Sequence, residues 1–415
     1  MNADLLYHVL LALAVVVVFG HVLGRLMALI GQPPVIGEVL SGILLGPSLV
    51  GRLFPGSETY LFPESVRPVL SVLAQLGVAL YMFVVGLEFD AASLRQRAAP
   101  FVFTALASIA VPFALGSGLS HLIYQDYSAP PVRLLAFALF MGVATSITAF
   151  PVLARILTDR GLAKTDLGVA ALTCAAVNDV AAWCLLAVAV GVARTTMSTA
   201  LQATLMTLGF IAFMFLVVGP VAARFAHRRQ DPDQLSSDTI TWTLVAMLAS
   251  AVAAEVIGIH AIFGAFLFGA ILPPESAIAR HLALHRTPVV TLLLLPAFFA
   301  LTGLRTEIGL LSGSRDWTVC LLVIVIATAG KFGGTAVAAR LAGMPWRFAG
   351  ELGALMNTRG LMELVVLNVG LDLGVISPRL FTMMVIMAIA TTAMTAPLLD
   401  LLRARPPRGF REGHR

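Results

Sequence analysis

Apolar residues run along this chain in blocks far longer than a soluble core needs, separated by short polar or glycine- and proline-containing segments. Blocks long enough to cross a bilayer as helices lie at about 5–30, 33–50, 66–88, 99–123, 131–157, 166–193, 203–226, 239–257, 260–274, 288–304, 317–339, 348–371 and 380–402. The pattern predicts an all-α integral membrane protein with about 13 transmembrane helices. The first block lacks a basic start and a small-residue cleavage site, so a retained span is expected rather than a signal peptide. The longest polar connection, His227 to Asp238, carries Arg228, Arg229, Asp231, Pro232 and Asp233 and is expected to be a solvated linker.

The polar exceptions inside these blocks matter more than the blocks. Asp179 is the only side chain ionised at neutral pH between Leu167 and Ala193. At a helical rise of about 1.5 Å per residue it lies roughly 20 Å from each flanking charge, Asp166 and Arg194, close to a bilayer midplane. A lone charge there is costly and marks a site for a proton, an ion or a counter-ion; a carboxylate held by a neighbouring helix purely for packing is the structural alternative. Two basic residues also lie within spans, Lys331 and Arg359, with Glu363 one helical turn beyond the arginine. Arginine supplies nearly all the positive charge of this chain, so a lysine at position 331 is a chemical choice: an ammonium can lose its proton when desolvated and a guanidinium effectively cannot.

Composition and charge narrow the class. The chain has 415 residues, 59% hydrophobic and 12% charged, with a mean hydropathy of +0.94. Of its 27 lysines and arginines, 18 fall in the loops that face inward if the N-terminus is outside, and 7 fall in the opposite loops. That asymmetry places the protein in the cell membrane as a multi-pass chain, N-terminus out and C-terminus in. The isoelectric point near 9.5 therefore reflects topology, and no nucleic-acid groove is indicated. Cys174, Cys184 and Cys320 all lie inside expected spans without metal-type spacing and are expected to be small core residues.

The two halves of the chain repeat. Gly31, Gly37, Gly42 and Pro47 recur with an offset of 227 as Gly258, Gly264, Gly269 and Pro274, and Gly86, Leu87 and Asp90 recur with an offset of 217 as Gly303, Leu304 and Glu307. Spans 1–6 then correspond to spans 8–13. The shift of seven spans is odd, so the second copy enters the membrane from the opposite side, and inverted repeats of this kind are a transporter signature with the site at the repeat interface. The expected organisation is a transmembrane domain over 1–402, with repeat one at about 5–193, a connecting span at about 203–226 and repeat two at about 239–402, followed by a short basic cytoplasmic tail, 403–415.

The same symmetry predicts two interrupted helices. Span 5 reads Thr145-Ser146-Ile147-Thr148-Ala149-Phe150-Pro151, where Pro151 removes a backbone bond and hydroxyls can satisfy the freed groups. Span 12 reads Met356-Asn357-Thr358-Arg359-Gly360 at the equivalent depth. Irregular backbone at mid-membrane is tolerated only where it is buried in protein or lines a cavity, and half-helix ends offer partial charges to an ion.

Taken together, Asn178-Asp179, the Thr145–Pro151 break, Gly330-Lys331-Phe332-Gly333-Gly334 and the run Asn357 to Glu363 resemble the second family of monovalent cation:proton antiporters, over about 33–399. Asn178-Asp179-Val180-Ala181-Ala182-Trp183, the run Gly258 to Phe266 and the run Met356 to Ile376 are most similar to its plant-type cation/H⁺ exchangers. The resemblance implies a sodium/proton-antiporter fold with two crossing discontinuous helices, a core domain moving like an elevator against a dimerisation domain, and hence a homodimer. It implies exchange of K⁺ or Na⁺ for H⁺ by alternating access, with no cofactor and no enzymatic activity.

A carboxylate removed from water binds whatever neutralises it, so cation and proton would compete for the Asp179 oxygens, and the bare anion would cross poorly. Asn178 offers an amide oxygen as a hard ligand, and Thr145, Ser146 and Thr148 offer hydroxyl or backbone oxygens. Lys331 would pair with Asp179 or with the dipoles of the broken helices. Arg359 and Glu363 are expected to compensate charge as a pair on one helix face. Relatives that read Asn-Asp tend to exchange one for one, which favours electroneutral exchange here, although a titrating Lys331 would add a second proton. Glu38 is expected to line a cavity or to make a packed hydrogen bond, and His260 to be an interfacial or hydrogen-bonded histidine rather than a pH sensor.

Three other classes compete. A channel-like potassium efflux protein would be expected to carry a long regulatory domain, and only 13 residues follow Leu402. A sodium-coupled organic-anion symporter of similar architecture needs an anion pocket, for which Arg359 is the obvious mid-membrane candidate. An intramembrane enzyme using Asp179 lacks a His-Glu-x-x-His motif or a convincing Ser/His arrangement.

Overall fold

The computed structural model describes residues 3–87, 99–129, 132–194, 197–227, 236–257, 261–273, 275–284 and 290–404. Asp90, Gly258, His260, Pro274, most of the polar linker and the tail beyond residue 404 lie outside the described residues. Helices α1 (Ala3–Leu29), α2 (Pro34–Leu45), α3 (Arg67–Leu87) and α4 (Ala99–Tyr127) lead to an interrupted pair, α5a (Leu134–Ser146) and α5b (Phe150–Asp159). Then follow α6 (Asp166–Arg194), α7 (Met197–Phe213, continuing after a π turn as Gly219–His227), α8 (Ser237–Ile257), α9 (Ala261–Ile271) and α10 (Leu295–Leu304). The chain closes with α11 (Ser314–Thr328, a π turn at Ala329–Gly333, then Gly334–Leu341), the second interrupted pair α12a (Trp346–Met356) and α12b (Leu361–Asp372), and α13 (Pro378–Ala404).

Among the described residues, ten helices are long and apolar enough by themselves to cross a membrane, fewer than the expected 13. The shortfall falls on the blocks near 131–157, 260–274 and 348–371. The first and third are each two half-helices, and the second is the 11-residue α9.

Two bundles result. In one, α1, α2, α3, α9 and α10 pack on each other with α8 against α9; in the other, α4, α5, α6, α11, α12 and α13 pack around the two interruptions. Glycine determines how closely the first bundle packs. A Cβ on Gly42 would strike the Ala300 carbonyl, and one on Gly303 would strike the Val39 carbonyl, so α2 and α10 touch backbone to backbone. A Cβ on Gly86 would strike the Phe266 carbonyl and one on Gly269 the Phe83 carbonyl, which joins α3 to α9 the same way. These are equivalent contacts in the two halves, since Gly42 corresponds to Gly269 and Gly303 to Gly86. Small residues allow such approach where lipid gives helices no hydrophobic drive to associate.

Candidate functional site

The two interruptions cross in the middle of the second bundle and satisfy each other. After Ser146 the backbone turns extended at Ile147 (φ −71°, ψ 141°) and at Ala149 (φ −85°, ψ 95°), and Pro151 opens α5b in the first turn, where its missing N–H costs nothing. Ala149 N–H donates to the Thr358 carbonyl at 3.0 Å, and the Thr148 hydroxyl donates to the Met356 carbonyl at 3.0 Å. Gly360 lets the strands approach: a Cβ there would lie 2.6 Å from Val152 Cγ2. On the far side, Thr392 of α13 accepts from Arg359 N–H at 2.9 Å and lies 2.9 Å from the Arg359 carbonyl.

The last carbonyls of α5a carry the negative end of a helix dipole into this apolar region, and two cations cover them. Arg359 donates to the Ala144 carbonyl at 2.8 Å and the Thr145 carbonyl at 2.5 Å, and to Glu363 at 2.5 Å. Lys331 takes the next carbonyl, that of Ser146. Its second acceptor is the Ser108 carbonyl of α4 at 3.0 Å. That carbonyl is available for a physical reason: Pro112, inside α4, has no N–H to give to the residue four positions earlier. The third acceptor is Asn178. The network orients its amide with Oδ1 3.0 Å from Lys331 Nζ and its nitrogen toward the Ala105 and Cys174 carbonyls at 3.1 and 3.3 Å, with the Ser108 and Thr148 hydroxyls flanking the oxygen at 3.0 and 3.3 Å. An ammonium has three N–H donors, and all three of these are placed. Gly330 brings α11 against α4 here, since a Cβ would lie 2.8 Å from Pro112 Cα, and the π turn at Ala329–Gly333 aims the lysine.

Asp179 is different. It is buried, within electrostatic range of Lys331, and approached by the Phe150 N–H at the start of α5b, yet neither carboxylate oxygen has a partner with hydrogen-bond geometry. Of the sequence-derived residues, then, Asn178, Asp179, Thr145, Ser146, Thr148, Lys331, Arg359 and Glu363 all lie at the crossing, but their bonds differ from the simplest expectation. Lys331 pairs with the carbonyl at the end of α5a, as the dipole alternative expects, and also with the Ser108 carbonyl inside α4 and with Asn178, and not by hydrogen bond with Asp179. The Thr145 hydroxyl points back to Pro112 and Met141 carbonyls, 2.9 Å from each, and the Ser146 hydroxyl to Val143 at 2.9 Å, so both serve the break. Ser108 and the threonines of α13 escaped notice in the sequence. Pro112, four residues after Ser108 in an apolar span, and the Thr-Thr-x-x-Thr run 391–395 were the available signals.

Among the described residues no cluster of His, Cys, Asp or Glu could hold a bound metal, and the three cysteines are free. Crossed half-helices at the centre of an inverted repeat, with an acid beside them neither of whose oxygens is bonded, define a secondary transporter. Residues 10–401 match the model of the transmembrane sodium/hydrogen exchanger domain. The chain belongs to that family, whose members are transporters and not enzymes. It is 44% identical over 408 residues to the Na(+)/H(+) antiporter NhaS4 of Synechocystis, with 98% of this chain and 100% of that protein covered. Cation/H(+) antiporter 19 of Arabidopsis thaliana is 39% identical over 98% of this chain, and K(+)/H(+) antiporter 1 of Saccharomyces cerevisiae 33% identical over 92%; the chain spans 51% and 45% of those proteins. The sodium proton antiporter MjNhaP1 of Methanocaldococcus jannaschii, solved at pH 8, has the same fold, with a TM-score of 0.70 at 13% identity over 96% of this chain and 98% of that one.

Proposed function

We propose that this protein exchanges K⁺ or Na⁺ for H⁺ across the cell membrane by alternating access, with Asp179 binding cation and proton in turn. The observation that carries the reading is the contrast at the crossing: Lys331 has three fixed acceptors, and Arg359 is bonded to Ala144, Thr145 and Glu363, while both Asp179 oxygens have no hydrogen-bond partner. A buried acid whose oxygens lack a hydrogen-bond partner is stabilised by whichever positive species reaches it. Asn178 positions Lys331, and Thr145, Ser146 and Thr148 shape the break; the Asn178 amide oxygen and the hydroxyl or backbone oxygens of Thr145, Ser146 and Thr148 are candidates for additional cation ligands after local rearrangement.

Charge counting supports one-for-one exchange. With Asp179 and Glu363 ionised and Lys331 and Arg359 charged, the crossing is neutral, and binding either H⁺ or a monovalent cation raises it to the same net charge. The loop charges favour an N-terminus outside and a C-terminus inside, with repeats at about 5–193 and 239–402. The glycine-packed bundle is the static part, and in a homodimer it would hold the partner. An organic-anion symporter is disfavoured because Arg359, its obvious anion ligand, is already committed to two carbonyls and Glu363.

The test uses purified protein in proteoliposomes with an imposed proton gradient, challenged in turn with K⁺, Na⁺, Li⁺ and a bile-acid-like anion. K⁺ or Na⁺ is expected to collapse the gradient without generating a membrane potential, and Asp179→Asn to abolish the response. A gradient moved only by the organic anion would refute the antiport reading.

A further inference from the structure

A cavity of about 560 Å³ opens between the two bundles at the end where α3 begins and α10 and α12b finish, the face proposed above to be external. Its walls come from both bundles: Glu64, Arg67 and Gln75 at α3, Thr302 and Arg305 at α10, and Asn368 and Asp372 at α12b. Arg305 donates from Nη1 to Asn368 Oδ1 and to Asp372 Oδ1, 2.9 Å each, and Asn368 also donates to the Thr302 hydroxyl at 3.2 Å. This is one polar chain running from α10 in the glycine-packed bundle to α12b in the crossing bundle.

Its place among the ion pairs is what gives it meaning. Arg160–Asp400, Arg315–Asp126, Arg347–Glu351, Arg403–Glu351 and Arg359–Glu363 each join two groups within the crossing bundle, and His8–Asp4 lies within α1. Among the described residues Arg305–Asp372 is the ion pair that joins the bundles. A rigid-body shift of one bundle leaves the internal pairs intact and must stretch this one. The pair is also 40% and 59% exposed, and exposed pairs contribute little net stability, which suits a contact that opens and re-forms in every cycle. Below it, toward Asp179, a second contact crosses the same interface: Trp183 of α6, one helical turn from Asp179, lies against Phe263 of α9 with ring centroids 5.7 Å apart. Ile262, the residue before Phe263, lines the cavity.

We infer that Arg305, held by Asn368 and Asp372, is a latch between the two bundles at the external mouth, and that it must part for the crossing bundle to carry Asp179 between the two sides. The inference rests on the antiport reading. In a background with Cys174→Ala, Cys184→Ala and Cys320→Ala, the paired substitution Arg305→Cys and Asp372→Cys is treated with a bis-methanethiosulfonate linker about as long as the Arg–Asp pair it replaces. Capture is measured by intact mass, which needs no transport assay. The captured fraction is expected to change when K⁺ or Na⁺ is added at constant pH, and that response should disappear in Asp179→Asn; a fraction indifferent to cation would overturn the latch. In proteoliposomes the cross-linked protein is expected to lose exchange by more than about tenfold and to regain it on reduction. Undiminished exchange while cross-linked would overturn it, as would equal loss in the singly substituted proteins, because the reagent would then be acting merely by filling the cavity. A parent protein that exchanges nothing would defeat the antiport reading and leave the cation-dependent capture to decide the latch.

Discussion

The glycine-packed bundle and the crossing bundle solve the same problem, helix association without a hydrophobic drive, in opposite ways. In the first, α2 meets α10 and α3 meets α9 through bare backbone at Gly42, Gly303, Gly86 and Gly269, where the nearest atoms to an added Cβ are all main-chain atoms of the facing helix. In the second, the backbone is deliberately incomplete: α5 and α12 stop at mid-depth, and the freed groups are met by each other, by Thr392, and by Lys331 and Arg359. Close packing has a single arrangement and resists displacement. A polar crossing leaves Asp179 with neither carboxylate oxygen bonded. The difference suggests that the first bundle holds and the second carries.

That division can be broken by substitutions that should affect one property and spare the other. The largest effect is expected from Asp179→Asn, which should bring cation-driven proton release down to the protein-free rate while thermal stability stays close to the parent's, because the amide fills the same volume. A destabilised Asp179→Asn protein would mean that the acid supports the fold. Lys331→Arg comes next. Three acceptors from α4, α5a and α6 converge on a point charge, and a planar guanidinium cannot match them, so exchange measured under the same gradient should fall by roughly tenfold even though the charge is kept. Parental rates in Lys331→Arg would show that charge alone matters at this position.

Competition gives a graded test. If proton and cation share Asp179, the apparent KM for the cation should rise as pH falls, by up to about tenfold per unit at the acid end, with the maximal rate little changed. A KM independent of pH would require separate sites. The smallest effect on transport is expected in the glycine bundle: Gly42→Ala and Gly269→Ala, equivalent positions in the repeats, should each cost about 1–3 kcal/mol by forcing backbones apart, read as a lower melting temperature in detergent, while the protein that folds still exchanges. Gly118→Ala, inside α4 where an added Cβ meets nothing within 4 Å, serves as the control without a clash and should gain up to about 1 kcal/mol from helix propensity. Lost exchange with unchanged stability in Gly42→Ala would erase the distinction between the bundles.

Much of this was legible from residue order because a membrane leaves few options. Hydrocarbon tolerates no unpaired backbone and few charges, so long apolar blocks had to be helices, and Asp179, Lys331, Arg359 and Glu363 stood out as exceptions with a purpose. The glycine offsets exposed the duplication for the same reason, since each such glycine answers a close approach that a side chain would forbid. The breaks at Thr145–Pro151 and Met356–Gly360 were visible as polar, proline- or glycine-bearing interruptions at matching depth.

Partner choice was not legible. A lysine and an aspartate at mid-membrane invite an ion pair, yet Lys331 goes to Ser108, Ser146 and Asn178, because Pro112 releases one carbonyl and the end of α5a offers another. Which of several compatible acceptors a buried donor takes depends on helices distant in sequence, here α4, α5a and α6 meeting α11. The same holds for Arg305 and Asp372, each an ordinary exposed charge at the end of its own helix, which become a junction between bundles through the packing of α10 beside α12b. Local composition determined what each segment had to be; the three-dimensional arrangement alone decided which of its polar groups were spent on one another and which acid was left over.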